Sequence, residues 1–335
     1  MSASLILGIE TSCDETAVAV VRGSEVLANM LSSQVDEHAR FGGVVPEVAA
    51  RAHVESIRSL THEALREAGV HPMDLDAIAA TQGPGLAGCL MVGFSYGKAF
   101  AWALGKPFLG VDHMEGHLFA PRFEHPDYEP PAVVLLASGG HSQIVHMRDW
   151  GDYETIGATI DDSAGEAFDK LARFLGLGYP GGPAIDAASE GGDPAAVDFP
   201  RALPDRPFDF SFSGLKTAVV TYVREHHEAG DLPAMADLAA SIQEAIVDVL
   251  ATKTFNAVEE TGAAAIAGGG GVLANRRLRG RLTEEGERRG VKVHLPSPMM
   301  ATDNGAMIAA AAAFRLGRGE ITPPDAEIDA SMRLG

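Results

Sequence analysis

Two rhythms of apolar positions run along this chain. Residues 5–9 form a short continuous apolar run, residues 16–22 a β-branched run, and residues 26–32 return after Gly23-Ser24. These predict three strands joined as hairpins, with a polar, acidic turn at 10–14 between the first two. From residue 47 to 68 the apolar positions switch to helical spacing, and Gly69 is a plausible stop. Residues 75–80 read as a strand. Gly83-Pro84-Gly85 and Gly88 then turn into an apolar helix over 90–104. Residues 107–111 read as another strand, which delivers Asp112 and His113 at its C-terminal end, where α/β folds place ligands.

Four prolines within residues 121–131 mark a break and a candidate crossing between two lobes. Residues 132–137 then read as a strand ending in Ser138-Gly139-Gly140-His141-Ser142, with 143–147 as its returning partner. The second half thus opens as the first does, on strand, turn and strand. This echo of architecture points to two related lobes holding a nucleotide between them. Residues 176–183 and 191–207 read as loop-rich, order resumes over 210–222 with a helix from Gly214, and residues 237–260 have space for one long helix or two. Residues 263–267 form a buried strand running into Gly268-Gly269-Gly270-Gly271, and residues 291–295 are the last clear strand. Pro296-Ser297-Pro298 ends it, Asp303 sits at or near the start of the final main helix, and from residue 317 no strong pattern remains.

Composition adds limits. A chain of 335 residues, 46% hydrophobic with 38 glycines, has room for two lobes with separate cores in an α/β fold. The two cysteines, Cys13 and Cys89, argue for a reducing compartment and for buried small residues rather than a disulfide scaffold. No apolar run reaches the roughly 18 residues of a membrane span, so no membrane contact is expected and the cytoplasm is the expected location. A net charge of −20 argues against broad nucleic-acid binding. It leaves room for a local basic patch, and Arg276 to Lys292 holds seven Arg or Lys against three Glu. That stretch reads either as a solvated helix face or as a nucleic-acid or partner contact.

The sharpest chemical signal is His113-Met114-Glu115-Gly116-His117. Two histidines four apart share one face of a helix and can reach one metal ion. Asp303 is the strongest candidate for a third ligand, and both Zn and Fe(II) fit two histidines and a carboxylate. The plain alternatives are two hydrogen-bonded histidines and a helix-capping aspartate. The order is wrong for a metalloprotease, because Met114 stands where His-Glu-x-x-His places its general base. Glu115 could support the ligands, act as a base or lie on the surface. Asp14 could hold a metal-bound phosphate and Glu15 could cap its turn. Ser138, Gly139 and Gly140 offer backbone N–H groups to an anion, and the run from Gly268 to Gly271 can flank an adenosine. Asp169 could hydrogen-bond a ribose, with Lys170 as its pair. Gly181-Gly182-Pro183 shapes a loop that could lie against a ligand, Asp186 follows it, and Asn275 is a polar pocket residue. For each of these, turn or cap formation is the plain alternative. No P-loop signature is present, the first strand does not pass directly into a Gly-x-Gly-x-x-Gly helix as a Rossmann start would, and Ser138 lies before two glycines rather than inside Gly-x-Ser-x-Gly.

Taken together, these segments resemble the bacterial tRNA N6-adenosine threonylcarbamoyltransferase family, formerly labelled O-sialoglycoprotein endopeptidase or glycoprotease. The resemblance covers almost the whole chain. It is carried by Gly8-Ile9-Glu10-Thr11-Ser12-Cys13-Asp14-Glu15-Thr16, Gly83-Pro84-Gly85, His113-Met114-Glu115-Gly116-His117, Ser138-Gly139-Gly140-His141, Phe168-Asp169-Lys170, Gly181-Gly182-Pro183 and the Gly268 run with Asn275. It implies an α/β, two-lobed actin-like, sugar-kinase-like and Hsp70-like ATPase fold with the active cleft between the lobes. Residues 1–120 with 297–335 are expected in one lobe and 121–296 in the other. It implies one divalent metal ion on His113, His117 and Asp303, with Fe(2+) favoured and Zn(2+) compatible, and it places Asp14 in the catalytic set. The adenylate contacts carry over to Leu136, Ala137, Ser138, Gly139, Gly140, Asp169, Gly182, Asp186 and Asn275. The implied reaction moves a threonylcarbamoyl group from L-threonylcarbamoyladenylate to N6 of adenosine 37 in tRNAs that read codons beginning with adenosine. Implied partners are tRNA, a homologous pseudo-enzyme and a small P-loop ATPase. A small-molecule kinase on the same fold, a metalloprotease and a non-catalytic scaffold are the other readings. The intact histidine pair argues against the scaffold.

Overall fold

The computed structural model describes residues 4–334. The chain opens on β1 (Leu5–Glu10), β2 (Glu15–Arg22) and β3 (Glu25–Ser33), an antiparallel meander. Every residue of β1 is buried, as a strand covered on both faces should be. Helices α1 (Val35–Ala39) and α2 (Pro46–Ala68) follow. In α2 the buried side chains Ala49, His53, Ile57, Leu60, Ala64 and Leu65 fall on one stripe, and Gly69 ends the helix in the left-handed conformation at φ 64°. Strand β4 (Ala77–Gly83), helix α3 (Ala87–Leu104), strand β5 (Phe108–Asp112) and helix α4 (His113–Phe119) complete this run. The sheet order is β3-β2-β1-β4-β5, with β1, β4 and β5 parallel.

The second sheet repeats this plan. β6 (Ala132–Ala137), β7 (Ser142–Asp149) and β8 (Asp152–Ala158) form another antiparallel meander. Four helices follow: α5 (Ala164–Leu175), α6 (Gly181–Ala188), α7 (Ser213–Ala229) and α8 (Met235–Thr261). Strand β9 (Ala265–Gly269), helix α9 (Arg276–Arg289), strand β10 (Lys292–His294) and the short α10 (Pro298–Ala301) then close the region. The order β8-β7-β6-β9-β10, with β9 parallel to β6 and to β10, matches the first sheet strand for strand.

Three elements depart from the sequence reading. β8 and the helix at 164–175 were not assigned from the sequence, and the helix at 181–188 begins inside the 176–183 stretch read as loop-rich. Ser163 caps α5 by accepting from the Glu166 N–H, so Ser163-Ala164-Gly165-Glu166 has the capping-box spacing. Pro183 lies in the first turn of α6, where a missing N–H costs no helical hydrogen bond.

The final helix, α11 (Gly305–Gly317), packs on β1 and β2. The contact is very close. A Cβ added at Gly8 would sit 2.3 Å from the Gly305 carbonyl oxygen, and one added at Gly305 would sit 2.5 Å from the Ala19 nitrogen. Two glycines and the buried alanines Ala309 to Ala313 let helix and sheet approach with no side chain between them. By contact, the chain divides into two compact units, one running to Asp127 and resuming over Asp303–Leu334, the other spanning Tyr128–Thr302. Among the described residues no helix is long and apolar enough to cross a membrane.

Candidate functional site

In the first unit, β5 hands the chain to α4 through a side-chain cap. The Asp112 carboxylate accepts from the backbone N–H groups of Met114 at 2.7 Å and Glu115 at 3.1 Å. The helix therefore starts at His113, and one turn brings His117 onto the same face, with ring centroids 4.8 Å apart. Asp303 stands just before α11. Its neighbour Asn304 is the cap, accepting from the Met307 N–H at 3.0 Å. The Asp303 carboxylate turns to the histidines instead, with Oδ1 3.2 Å from His117 Nε2 and 3.5 Å from His113 Nε2. Among the described residues these three form the one group of three or more His, Cys, Asp or Glu side chains able to hold a metal ion, with ligand atoms within 4.8 Å of one another.

Two observations fit a cation there. His117 is buried, and neither of its ring nitrogens makes a hydrogen bond. Leaving buried polar atoms unsatisfied costs about 1–3 kcal/mol, and metal coordination would satisfy Nε2. The surroundings are also rich in carboxylates. Burial, then the charges of Asp303 and Asp14, push the Glu15 carboxyl up to about 9. Burial alone would lower the His113 imidazole, but Asp303 and Glu10 outweigh it and push His113 up to about 10. Such a site gains from a bound positive charge. Asp14 lies buried in the turn between β1 and β2, and its carbonyl accepts from the Gln34 N–H at 3.2 Å.

Glu10 was not singled out from the sequence, although it is a carboxylate closing a fully buried strand. Its Oε2 lies 2.9 Å from His113 Nδ1 and accepts from Thr81 Oγ1 at 2.6 Å, and its other oxygen accepts from the Ser12 N–H. Glu115 is also accounted for. It is 3% exposed and paired with Arg315 of α11, with Nη2 at 2.6 Å and Nε at 2.7 Å. A carboxylate held by a guanidinium between α4 and α11 braces the two helices around the histidines. It does not serve as the base of a peptidase. Burial raises the thiol pKa of Cys89 to about 11 and that of Cys13 further, so neither is a ready nucleophile.

The residues expected to contact the adenylate all fall in the second unit. Leu136 and Ala137 are buried at the end of β6, so what they offer a ligand is backbone. In the turn that follows, the Ser138 N–H is already used by the His141 carbonyl at 2.8 Å. Gly139 and Gly140 are exposed, with nothing within 4 Å of an added Cβ. Of the three amides expected to meet an anion, the turn itself takes that of Ser138 and leaves those of the two glycines. A continuous path of hydrogen bonds ties this turn to the other candidates. Ser163, the cap of α5, donates to the Gly139 carbonyl at 2.6 Å. Asp169 of α5 accepts from the Gly181 N–H at 2.6 Å, and a Cβ on Gly181 would sit 2.4 Å from the Asp169 Cα. Gly182 is open on its outer side. Asp186 of α6 pairs with Arg276 Nε at 2.7 Å. Asn275 caps α9 through its Oδ1 and donates to Gln243 at 2.7 Å. Asp186, Ser189, Gln243, Arg276 and Arg277 line a shallow cavity of about 370 Å³.

The basic stretch of α9 is largely neutralised. Arg276 pairs with Asp186, Arg277 with Glu244, Arg281 with Asp248, Arg288 with Glu285, and Arg289 with Glu259 and Glu285. The sequence count of charges therefore overstates the potential that this face presents.

The two matching sheets place the chain in the class of actin-like, sugar-kinase-like and Hsp70-like ATPase folds, and solved structures agree. T. kodakarensis HypF aligns with a TM-score of 0.64 at 15% identity, over 94% of this chain and 47% of that one. Component A of the Acidaminococcus fermentans (R)-2-hydroxyglutaryl-CoA dehydratase aligns at 0.53 and 17% identity, over 94% of this chain and 99% of that one. These likenesses concern the fold. The sequence narrows the class: the family model described as "TsaD: tRNA N6-adenosine threonylcarbamoyltransferase" matches residues 25–310. A protein of that name from Clostridium perfringens (strain SM101 / Type A) is 50% identical over 337 residues, covering 100% of this chain and 99% of its own. Another from Magnetococcus marinus is 51% identical over 327 residues, covering 94% and 93%. The chain belongs to the tRNA N6-adenosine threonylcarbamoyltransferase family.

Proposed function

We propose that this chain transfers the threonylcarbamoyl group of L-threonylcarbamoyladenylate to N6 of adenosine 37 in tRNAs that read codons beginning with adenosine, releasing AMP. The match to relatives of that name over the whole chain, at 50% identity, carries this reading. The donor is a mixed anhydride, so AMP is a ready leaving group. The adenosine N6 attacks its carbamoyl carbon, a C–N bond forms, the C–O bond to the phosphate breaks, and N6 loses a proton.

His113, His117 and Asp303 are the proposed holders of one divalent metal ion, Fe(II) by preference, with Zn(II) suited to the same donors. When bound, such an ion supplies Lewis-acid polarisation of the donor's carbonyl or phosphate oxygens. The chain's own groups bind and orient the donor. The Gly139 and Gly140 amides face the phosphate and the charge that develops as AMP leaves. Asp169, Asp186 and Asn275 hold the adenosine moiety, with the backbone of Leu136, Ala137 and Ser138 and the open face of Gly182 beside it. Asp14, in the acidic turn, belongs to the catalytic set. Proposed partners are tRNA, a homologous pseudo-enzyme and a small P-loop ATPase, and the proposed place is the cytoplasm, where a separate synthase supplies the adenylate.

The test is one transfer assay with purified protein, its partner proteins, threonylcarbamoyladenylate and unmodified tRNA, read by mass spectrometry of the nucleosides with and without chelator. Modified adenosine that disappears on chelation is the expected result. Phosphate transfer, or no modified nucleoside in any arm, would refute the reading.

A further inference from the structure

We infer that Glu10 is the positioning residue of the metal centre: its carboxylate fixes which nitrogen of His113 is presented to the ion. The inference rests on the proposed reading of His113, His117 and Asp303 as metal ligands. Glu10 ends β1 at 0% exposure, and its two oxygens are fully engaged. One accepts from the Ser12 N–H, and Oε2 accepts from Thr81 Oγ1 at 2.6 Å and meets His113 Nδ1 at 2.9 Å. An ionised carboxylate can only accept, so Nδ1 must carry the hydrogen. With His113 neutral, as a metal ligand must be, the lone pair then lies on Nε2. That is the nitrogen turned to Asp303, 3.5 Å away. The carboxylate thus sets ring orientation and tautomer together, as partners of metal-bound histidines generally do.

The contrast with His117 sharpens the assignment. Its two ring nitrogens make no hydrogen bond, and the charged group beside it is Asp303, itself a proposed ligand, so among the described residues His117 has no counterpart of Glu10 on Nδ1. The pair is unequal, with one imidazole organised in advance and the other ordered by coordination. Thr81 and Ser12 keep the Glu10 carboxylate in place, and they come from β4 and from the turn after β1. The orientation of His113 is therefore set by the sheet rather than by its own helix.

The experiment uses the full chain. Zn2+ affinity is measured by chelator competition for wild type, Glu10→Gln, Glu10→Asp and Glu10→Ala, and the His113 ring is followed by imidazole 15N NMR in the Zn2+-loaded protein. Wild type should show Nδ1 protonated and Nε2 bound. Glu10→Gln and Glu10→Ala should lose affinity by roughly 10–100-fold, with Ala the weaker binder, and Glu10→Asp should recover part of the loss. A purely structural role for Glu10 would lower thermal stability without changing the 15N signature or the affinity of the folded fraction. Folded Glu10→Gln that binds Zn2+ as tightly as wild type, with the same signature, overturns the inference alone. A wild-type protein that takes up no Zn2+ overturns the metal reading and this inference with it. Should Glu10→Ala fail to fold, the Gln and Asp variants decide.

Discussion

The two units share one strand order and differ in what they hang on it. In the first, the turn after the leading strand is acidic, and the last parallel strand ends in Asp112, the cap that starts a helix carrying two histidines. In the second, the corresponding turn is Ser138-Gly139-Gly140-His141, and the parallel strand β9 runs into a glycine run and the Asn275 cap. One scaffold thus presents carboxylates and imidazoles in one copy and bare backbone amides in the other. Parallel strands of α/β sheets present ligands at their C-terminal ends, so the same geometry can serve a cation or an anion according to the residues at the strand ends.

That contrast can be broken at either end. His113→Ala and His117→Ala should each remove the metal and lower transfer by about a thousandfold, equivalent to about 4 kcal/mol in the barrier, while circular dichroism stays native. Asp169→Ala should act differently. Loss of hydrogen bonds to a charged group costs about 1.5–3 kcal/mol, so KM for the adenylate should rise roughly 10–100-fold while metal content is unchanged. If Asp169→Ala loses metal, the division of labour between the units is wrong.

Two further variants test what braces the first unit. Gly8→Ala forces a Cβ against the Gly305 carbonyl and the Ala309 nitrogen, at 2.3 and 2.7 Å. It should cost about 3 kcal/mol, the upper end of overpacking penalties, because backbone on both sides cannot move aside. Glu115→Gln breaks the pair with Arg315. A wholly buried pair costs about 3–5 kcal/mol to break, and the Arg315 side chain is 28% exposed, so about 2 kcal/mol is expected, read as a fall in denaturation midpoint. The smallest effect is expected on α9. Arg288 is already matched by Glu285 and is highly exposed, so Arg288→Ala should change tRNA affinity by less than about threefold at fixed salt. A larger loss would restore the basic stretch as a tRNA contact.

Much of this was legible from the residues. The opening hairpins, the α2 stop at Gly69, and the His113–His117 face follow from local spacing, because period and capping are local properties. The misses are of two kinds. Gly181-Gly182-Pro183 reads as loop by composition, yet glycine and proline are both acceptable in the first turn of a helix. The capping box at Ser163 and the apolar spacing of Ala164, Ala167, Phe168, Leu171 and Ala172 were the overlooked signal for α5. The second kind is non-local. Glu10 meets His113 across 103 positions and Glu115 meets Arg315 across 200, and no periodicity reports such pairs. The pairing of the α9 arginines with Asp186, Glu244 and Asp248 was hidden for the same reason.

The central claim is that the first unit's His113, His117 and Asp303 hold a metal on which transfer depends. The most direct measurement is metal content per chain by elemental mass spectrometry, taken on the same samples assayed for transfer to tRNA, for wild type and for the double variant His113→Ala/His117→Ala. The account predicts about one ion per chain and active transfer in wild type, with neither in the double variant. A double variant that is free of metal and still modifies tRNA at the wild-type rate would contradict it.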